Sequence, residues 1–196
     1  SGRTQATREL QHRWEVDPPL EDTWIALQSY SPVQINLADL DSPLAEDRLS
    51  VAQQLCRDYD NPNFDQREAA IKKLIATLQS GEANVQIRRS MISAAILLGD
   101  ATLGEPLWAI SKDDPLVRGF VERALIKWKS AAAIETWRRR IKDANLQSNE
   151  LLIALEGLAV VGGEADVADL QSVLMNHRLS SACKFHAARA LGAVVS

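Results

Sequence analysis

The stretch DDPLVRGFVERAL at 113–125 sets two carboxylates, Asp113 and Asp114, close to the guanidinium of Arg118. Adjacent acids beside a cation are side chains of acid–base chemistry. Pro115 points to a different role. An acidic residue followed by proline opens a helix, because the carboxylate accepts a free amide proton at the positive end of the helix dipole. Arg118 has counterparts in the same register at Arg88 and Lys184. A reacting group need not recur, whereas a structural one does, so capping is the expectation for Asp114.

The remaining reactive types are equally sparse in pattern. Gly162-Gly163 sits at a turn between helical segments, but lacks the preceding strand and the spacing of a phosphate loop. A helix-ending glycine is the expected role. Cys183 and His186 lie three apart on one predicted helix, and two ligands do not make a zinc site. His12 and His177 add no ligand spacing, and no serine, cysteine or lysine falls in a nucleophile motif. These residues call for no metal, no cofactor and no catalytic group. The surface candidate is WRRRIKD at 137–143, where Trp137 and Ile141 share an apolar face and Arg138 and Lys142 share another. Arg138, Arg139 and Lys142 form the expected binding set, suited to an acidic partner or to phosphate groups.

Composition constrains the elements that must hold these residues. The chain has 196 residues, 46% hydrophobic and 24% charged, with nine glycines and 5% aromatics. Abundant alanine, leucine and isoleucine favour helix over strand, and an all-α fold is predicted. Net charge is −4. Residues 1–62 carry five basic and eleven acidic side chains and the remainder is close to neutral. No strong field toward nucleic acid or a membrane follows. Cys56 and Cys183 stand far apart in the sequence and read as buried thiols rather than a disulfide framework. No run approaches the roughly 18 apolar residues of a membrane span. Ser1-Gly2 has the look of an expression scar, so targeting and localisation stay open.

Helices are predicted at about 43–59, 65–79, 85–98, 103–112, 115–129, 131–142, 147–161, 165–176 and 181–195. Counting back from Gly99, Lys129, Gly162 and Val195 reveals a repeat. Twelve positions earlier stand Ile87, Val117, Glu150 and Cys183; eight earlier, Met91, Val121, Ala154 and Ala187. Five earlier stand Ala94, Ala124, Gly157 and Ala190; four earlier, Ala95, Leu125, Leu158 and Leu191. This spacing is the stripe of a helix burying one face, with small residues where a neighbour comes close. A second apolar stripe follows at Leu107 or Trp108, Trp137 and Leu170, so each unit is a pair of helices. The units start at Ile87, Val117, Glu150 and Cys183, a nearly even spacing whose variation falls in the loops.

The segments IRRSMISAAILLGD, VRGFVERALIKWK and CKFHAARALGAVV resemble the short HEAT-like repeats also found in phycobilin lyase subunits. The likeness covers roughly 85–196 well and 43–79 loosely. It implies a right-handed α-solenoid of stacked antiparallel helix pairs over 42–196, with the last unit represented by its first helix alone. Residues 1–41, interrupted at Asp17-Pro18-Pro19, read as a helical extension or cap. The copy starting at Glu150 lacks the basic residue of its sisters, and Lys129-Ser130 replaces Gly-Asp. The resemblance implies a polar ladder between units, and these two departures break its pattern there.

A non-enzymatic protein-interaction or scaffold module is the leading functional expectation, since helical arrays offer extended concave surfaces. Its partner would be another protein or an acidic segment. Nucleic acid is the second choice, through Trp108, Trp128 and Trp137 with the basic helix. A chromophore-lyase subunit is a third, implied by the resemblance alone.

Overall fold

A computed structural model of the chain describes residues 34–61, 64–143 and 148–195. The extension predicted over 1–41 therefore lies largely outside the described residues. All regular structure among them is helical. The helices are α1 (Ala45–Asp58), α2 (Arg67–Ser80), α3 (Val85–Leu98), α4 (Gly104–Ser111) and α5 (Pro115–Lys127). They are followed by α6 (Ile134–Ile141), α7 (Ser148–Val161), α8 (Val167–Met175) and α9 (Ser181–Val195). Short 3-10 turns occupy Leu37–Asp41, Ala101–Leu103 and Glu164–Asp166.

Local chemistry explains the boundaries. The Asn84 side chain accepts from the Gln86 amide at 2.9 Å and from the Ile87 amide at 3.2 Å, and so starts α3. Asp114 accepts from the Leu116 amide at 3.0 Å, with Pro115 as the first residue of α5. The capping expectation holds. Gly81 ends α2 in the left-handed region, with φ 97°. Gly162 ends α7 for another reason: a Cβ there would collide with the Leu158 carbonyl and crowd Val194.

Lys129 shares the column of Gly162 but, unlike it, is left-handed and bears a conformational cost. Its φ is 54°. The Ser130 amide reaches back to the Leu125 carbonyl at 2.9 Å and the Lys129 amide to Ile126 at 3.1 Å. That double bond pattern is the Schellman end, whose left-handed position glycine fills without Cβ strain. Lys129→Gly is expected to raise unfolding stability by about 1 kcal/mol, measured by urea denaturation. No gain would mean that the lysine stem has compensating contacts.

Odd-numbered helices neighbour one another in order, α1 on α3, α3 on α5, α5 on α7 and α7 on α9. Among the even-numbered ones, α2 meets α4 and α6 meets α8, and each also lies against the odd helix that follows it. The core between them is the predicted stripe. Ile87, Val117 and Cys183 are buried, as are Met91, Val121, Ala154 and Ala187. Ala94, Ala124, Ala190, Ala95, Leu125 and Leu158 complete it. Each fully buried leucine or valine contributes roughly 1.5–3 kcal/mol.

Candidate functional site

Helix α6 is amphipathic, and its position is fixed by Trp137, which is fully buried, and by Ile141. A tryptophan fits because the facing residue on α7 is Gly157, where any Cβ would enter the indole ring. With that face inward, the three predicted binding residues are distributed rather than gathered. Arg138 turns toward α8 and grips Asp166 through Nε at 2.7 Å and Nη2 at 3.2 Å. It also donates to Glu135 at 2.8 Å. Lys142 lies 3.1 Å from Asp169. Arg139 is exposed and, of the three, alone carries no ion pair among the described residues. Two of the three cations are thus occupied within the fold.

Asp166 is buried and serves two partners, since its Oδ2 also accepts from the Gly163 amide at 2.9 Å. Burial alone would raise its pKa. The Arg138 hydrogen bonds, the Gly163 amide and the charges of Arg138 and Lys142 outweigh burial, and the carboxyl is held below its usual range. Hydrogen bonding to Asp166, then to Glu135, pushes the Arg138 guanidinium upward. A carboxylate with a depressed folded pKa stabilises the fold above its unfolded value, about 4, and that contribution fades as pH falls through the folded value. Asp166→Asn is therefore expected to lower stability at pH 7 and to flatten the acid limb of a thermal-melt series from pH 6 to 2. An unchanged acid limb would show that the pair has no net effect.

A second ionic system was not evident from the sequence pattern. Arg140, next to the exposed Arg139, is buried and lies 2.7 Å from the buried carboxylate of Glu122 on α5. Two features of register mark it once its neighbours are known. Arg140 follows Trp137 by one helical turn, on the same face. Glu122 occupies a register held by buried Ile92 and Leu155 in the sister segments.

The fourth residues of α1, α3 and α5 are Arg48, Arg88 and Arg118. Arg48 pairs with Glu82 at 2.7 Å, Arg88 with Asp114 at 2.5 Å and Arg118 with Glu150 at 2.5 Å. This ladder ties the start of each of these helices to the start of the next odd helix or the turn before it. Glu150, which breaks the apolar pattern of its column, supplies the last acid. The ladder ends at α7, whose fourth residue is Leu151. The side chain of Glu82 is kept ionised by its Arg48 hydrogen bond, which outweighs burial.

Between α4, α5 and α6 lies a polar cleft of about 630 Å³. Lys112, Asp113, Arg139, Asp143 and the Arg118–Glu150 pair line it, together with Trp108. No family model and no curated protein matches this chain. The cleft's chemistry must be judged from its own side chains.

The other residues considered for chemistry have structural surroundings. Cys183 is a free, buried thiol, 3.3 Å from the Ser180 hydroxyl. His186 lies 3.6 Å from Glu156, an ion pair when the imidazole is protonated. Among the described residues no three His, Cys, Asp or Glu side chains are grouped to hold a metal. No described helix is long and apolar enough to cross a membrane.

Proposed function

We propose that the chain is a non-enzymatic interaction module, a HEAT-like right-handed α-solenoid whose polar cleft on α4–α6 receives a segment of another protein. The repeat reading is supported by the contact order, odd helix on odd helix, and by the burial of the same columns in successive copies. One observation carries the functional reading. Lys112 and Arg139 stand exposed on the cleft without ion pairs among the described residues, beside the exposed carboxylates of Asp113 and Asp143, whereas Arg118, Arg138, Arg140 and Lys142 around them are all paired. A recess edged by separate cations and carboxylates fixes the register of a segment whose charges complement them, with its acidic side chains set on Lys112 and Arg139. Nucleic acid is the weaker reading, because Trp137 is fully buried and Trp108 is only 8% exposed, which leaves the half-buried Trp128 as the one ring of the three with surface for base stacking.

The test compares the unchanged chain with a Lys112→Glu/Arg139→Glu variant in crosslinking and mass-spectrometric mapping against an extract of the source cells. Both side chains are exposed, so the variant should melt as the parent does. A protein partner is expected to crosslink at the cleft and to be lost with the variant. A partner retained by the variant, or a salt-sensitive shift of duplex DNA instead, would overturn the proposal.

A further inference from the structure

The odd helices carry another surface, distinct from the cleft. Helix α3 contains no acidic residue, and the one acid of α5, Glu122, is 1% exposed and paired with Arg140. Their exposed sides nevertheless bear Arg89, Arg123 and Lys127, none of which has an ion pair among the described residues. Arg57 on the neighbouring α1 is likewise exposed and unpaired among them. In a chain of net charge −4, this is a segregated positive field.

The same face is apolar. Leu116 and Phe120, one turn apart on α5, are 53% and 48% exposed, although both are large hydrophobic side chains. The Arg89 guanidinium lies 5.3 Å from the centre of the Phe120 ring. Such a stack holds the arginine over an apolar rim while leaving its charge available. Beneath the rim is a recess of about 280 Å³ running over α3, floored by Ser90, Ser93 and Cys56. The small serines leave the space open, and burial pushes the Cys56 thiol upward, so the floor stays neutral.

We propose that this face is a docking groove for an acidic amphipathic helix of another protein, which inserts one large apolar side chain over α3 and sets its carboxylates against Arg89, Arg123 and Lys127. Charge complementarity selects an acidic occupant. The recess selects a discrete side chain, the anchor-in-pocket mode of helix recognition. An anionic bilayer needs no recess, and the negative chain as a whole is repelled by one. The groove lies on the odd helices, so it does not depend on the α4–α6 cleft.

The experiment is selection of a displayed library of helical peptides on the intact chain, followed by fluorescence anisotropy and amide-shift mapping with the enriched peptide. Sedimentation with phosphatidylserine–phosphatidylcholine vesicles is run in parallel. Enriched sequences should combine net negative charge with a leucine, phenylalanine or tryptophan anchor, and their shifts should cluster on α3 and α5. Binding should weaken with salt. It should fall about tenfold or more in Arg89→Glu/Phe120→Ser and stay unchanged in Lys112→Glu/Arg139→Glu. Both altered side chains of the first variant are exposed, and a matching thermal melt shows that it folds. Peptides without acidic excess, equal binding by Arg89→Glu/Phe120→Ser, shifts away from α3 and α5, or vesicle binding that the peptide cannot displace would each overturn the proposal.

Discussion

Truncating either member of the Glu122–Arg140 pair is expected to lower unfolding stability by about 3–5 kcal/mol, the largest loss from a single polar substitution among the described residues. The side chains are 2% and 7% exposed and 2.7 Å apart, one on α5 and the other on α6. In Glu122→Ala the guanidinium stays buried without its counter-charge; in Arg140→Ala the carboxylate does. Each single variant therefore reports the cost of an uncompensated buried ion rather than the net value of the pair. Glu122→Leu/Arg140→Met separates the two quantities. Because buried Ile92 and Leu155 occupy the register of Glu122 in neighbouring copies, the site is shaped for an aliphatic side chain. The double replacement is expected to lie near the parent or above it. Urea unfolding of the three variants provides the check, and single variants costing under about 1 kcal/mol, a surface-pair value, would show that the pair is effectively solvated.

The difference between that pair and the ladder of Arg48, Arg88 and Arg118 shows which polar features were legible. The ladder was foreshadowed by register, since two of its basic residues recur in one column and an acid caps α5. The pairing of Glu150 with Arg118 was not foreseen, the copy that starts there being marked only by its missing basic residue, because a single sequence does not show which neighbour a side chain will face. The same limit applies to WRRRIKD. Periodicity placed Trp137 and Ile141 inward and Arg138 with Lys142 on a shared face, as found. It could not reveal that α8 and the turn before it would bring Asp169 and Asp166 against that face and leave Arg139, of the three, without an ion pair among the described residues. Helix positions were readable because caps and stripes are local; ion pairing was not, because its partners belong to other helices or the turns before them. The basic face of α3 and α5 escaped for a related reason, as Arg89, Arg123 and Lys127 are spread across two helices.

The second large effect concerns close approach. Trp137→Ala is expected to cost about 3–5 kcal/mol, the range for removing a fully buried aromatic side chain, because the indole fills the space over α7 and is completely inaccessible. The reason it fits lies in Gly157, which tests the same contact from the other side. Within a helix, Gly→Ala ordinarily stabilises by about 0.5–1 kcal/mol. Gly119 in α5, where an added Cβ meets nothing within 4 Å, should show that gain. At Gly157 the added methyl would enter the Trp137 ring. Overpacking of roughly 1–3 kcal/mol should then exceed the helical gain and reverse the sign. Substituting Trp137→Leu first should remove the obstruction, so that Gly157→Ala becomes neutral or stabilising in that background. This sign change is a coupling between the two positions that independent effects cannot produce. If Gly157→Ala destabilises equally in both backgrounds, the indole is not what the small residue accommodates, and the five-before-anchor column owes its small side chains to some other neighbour.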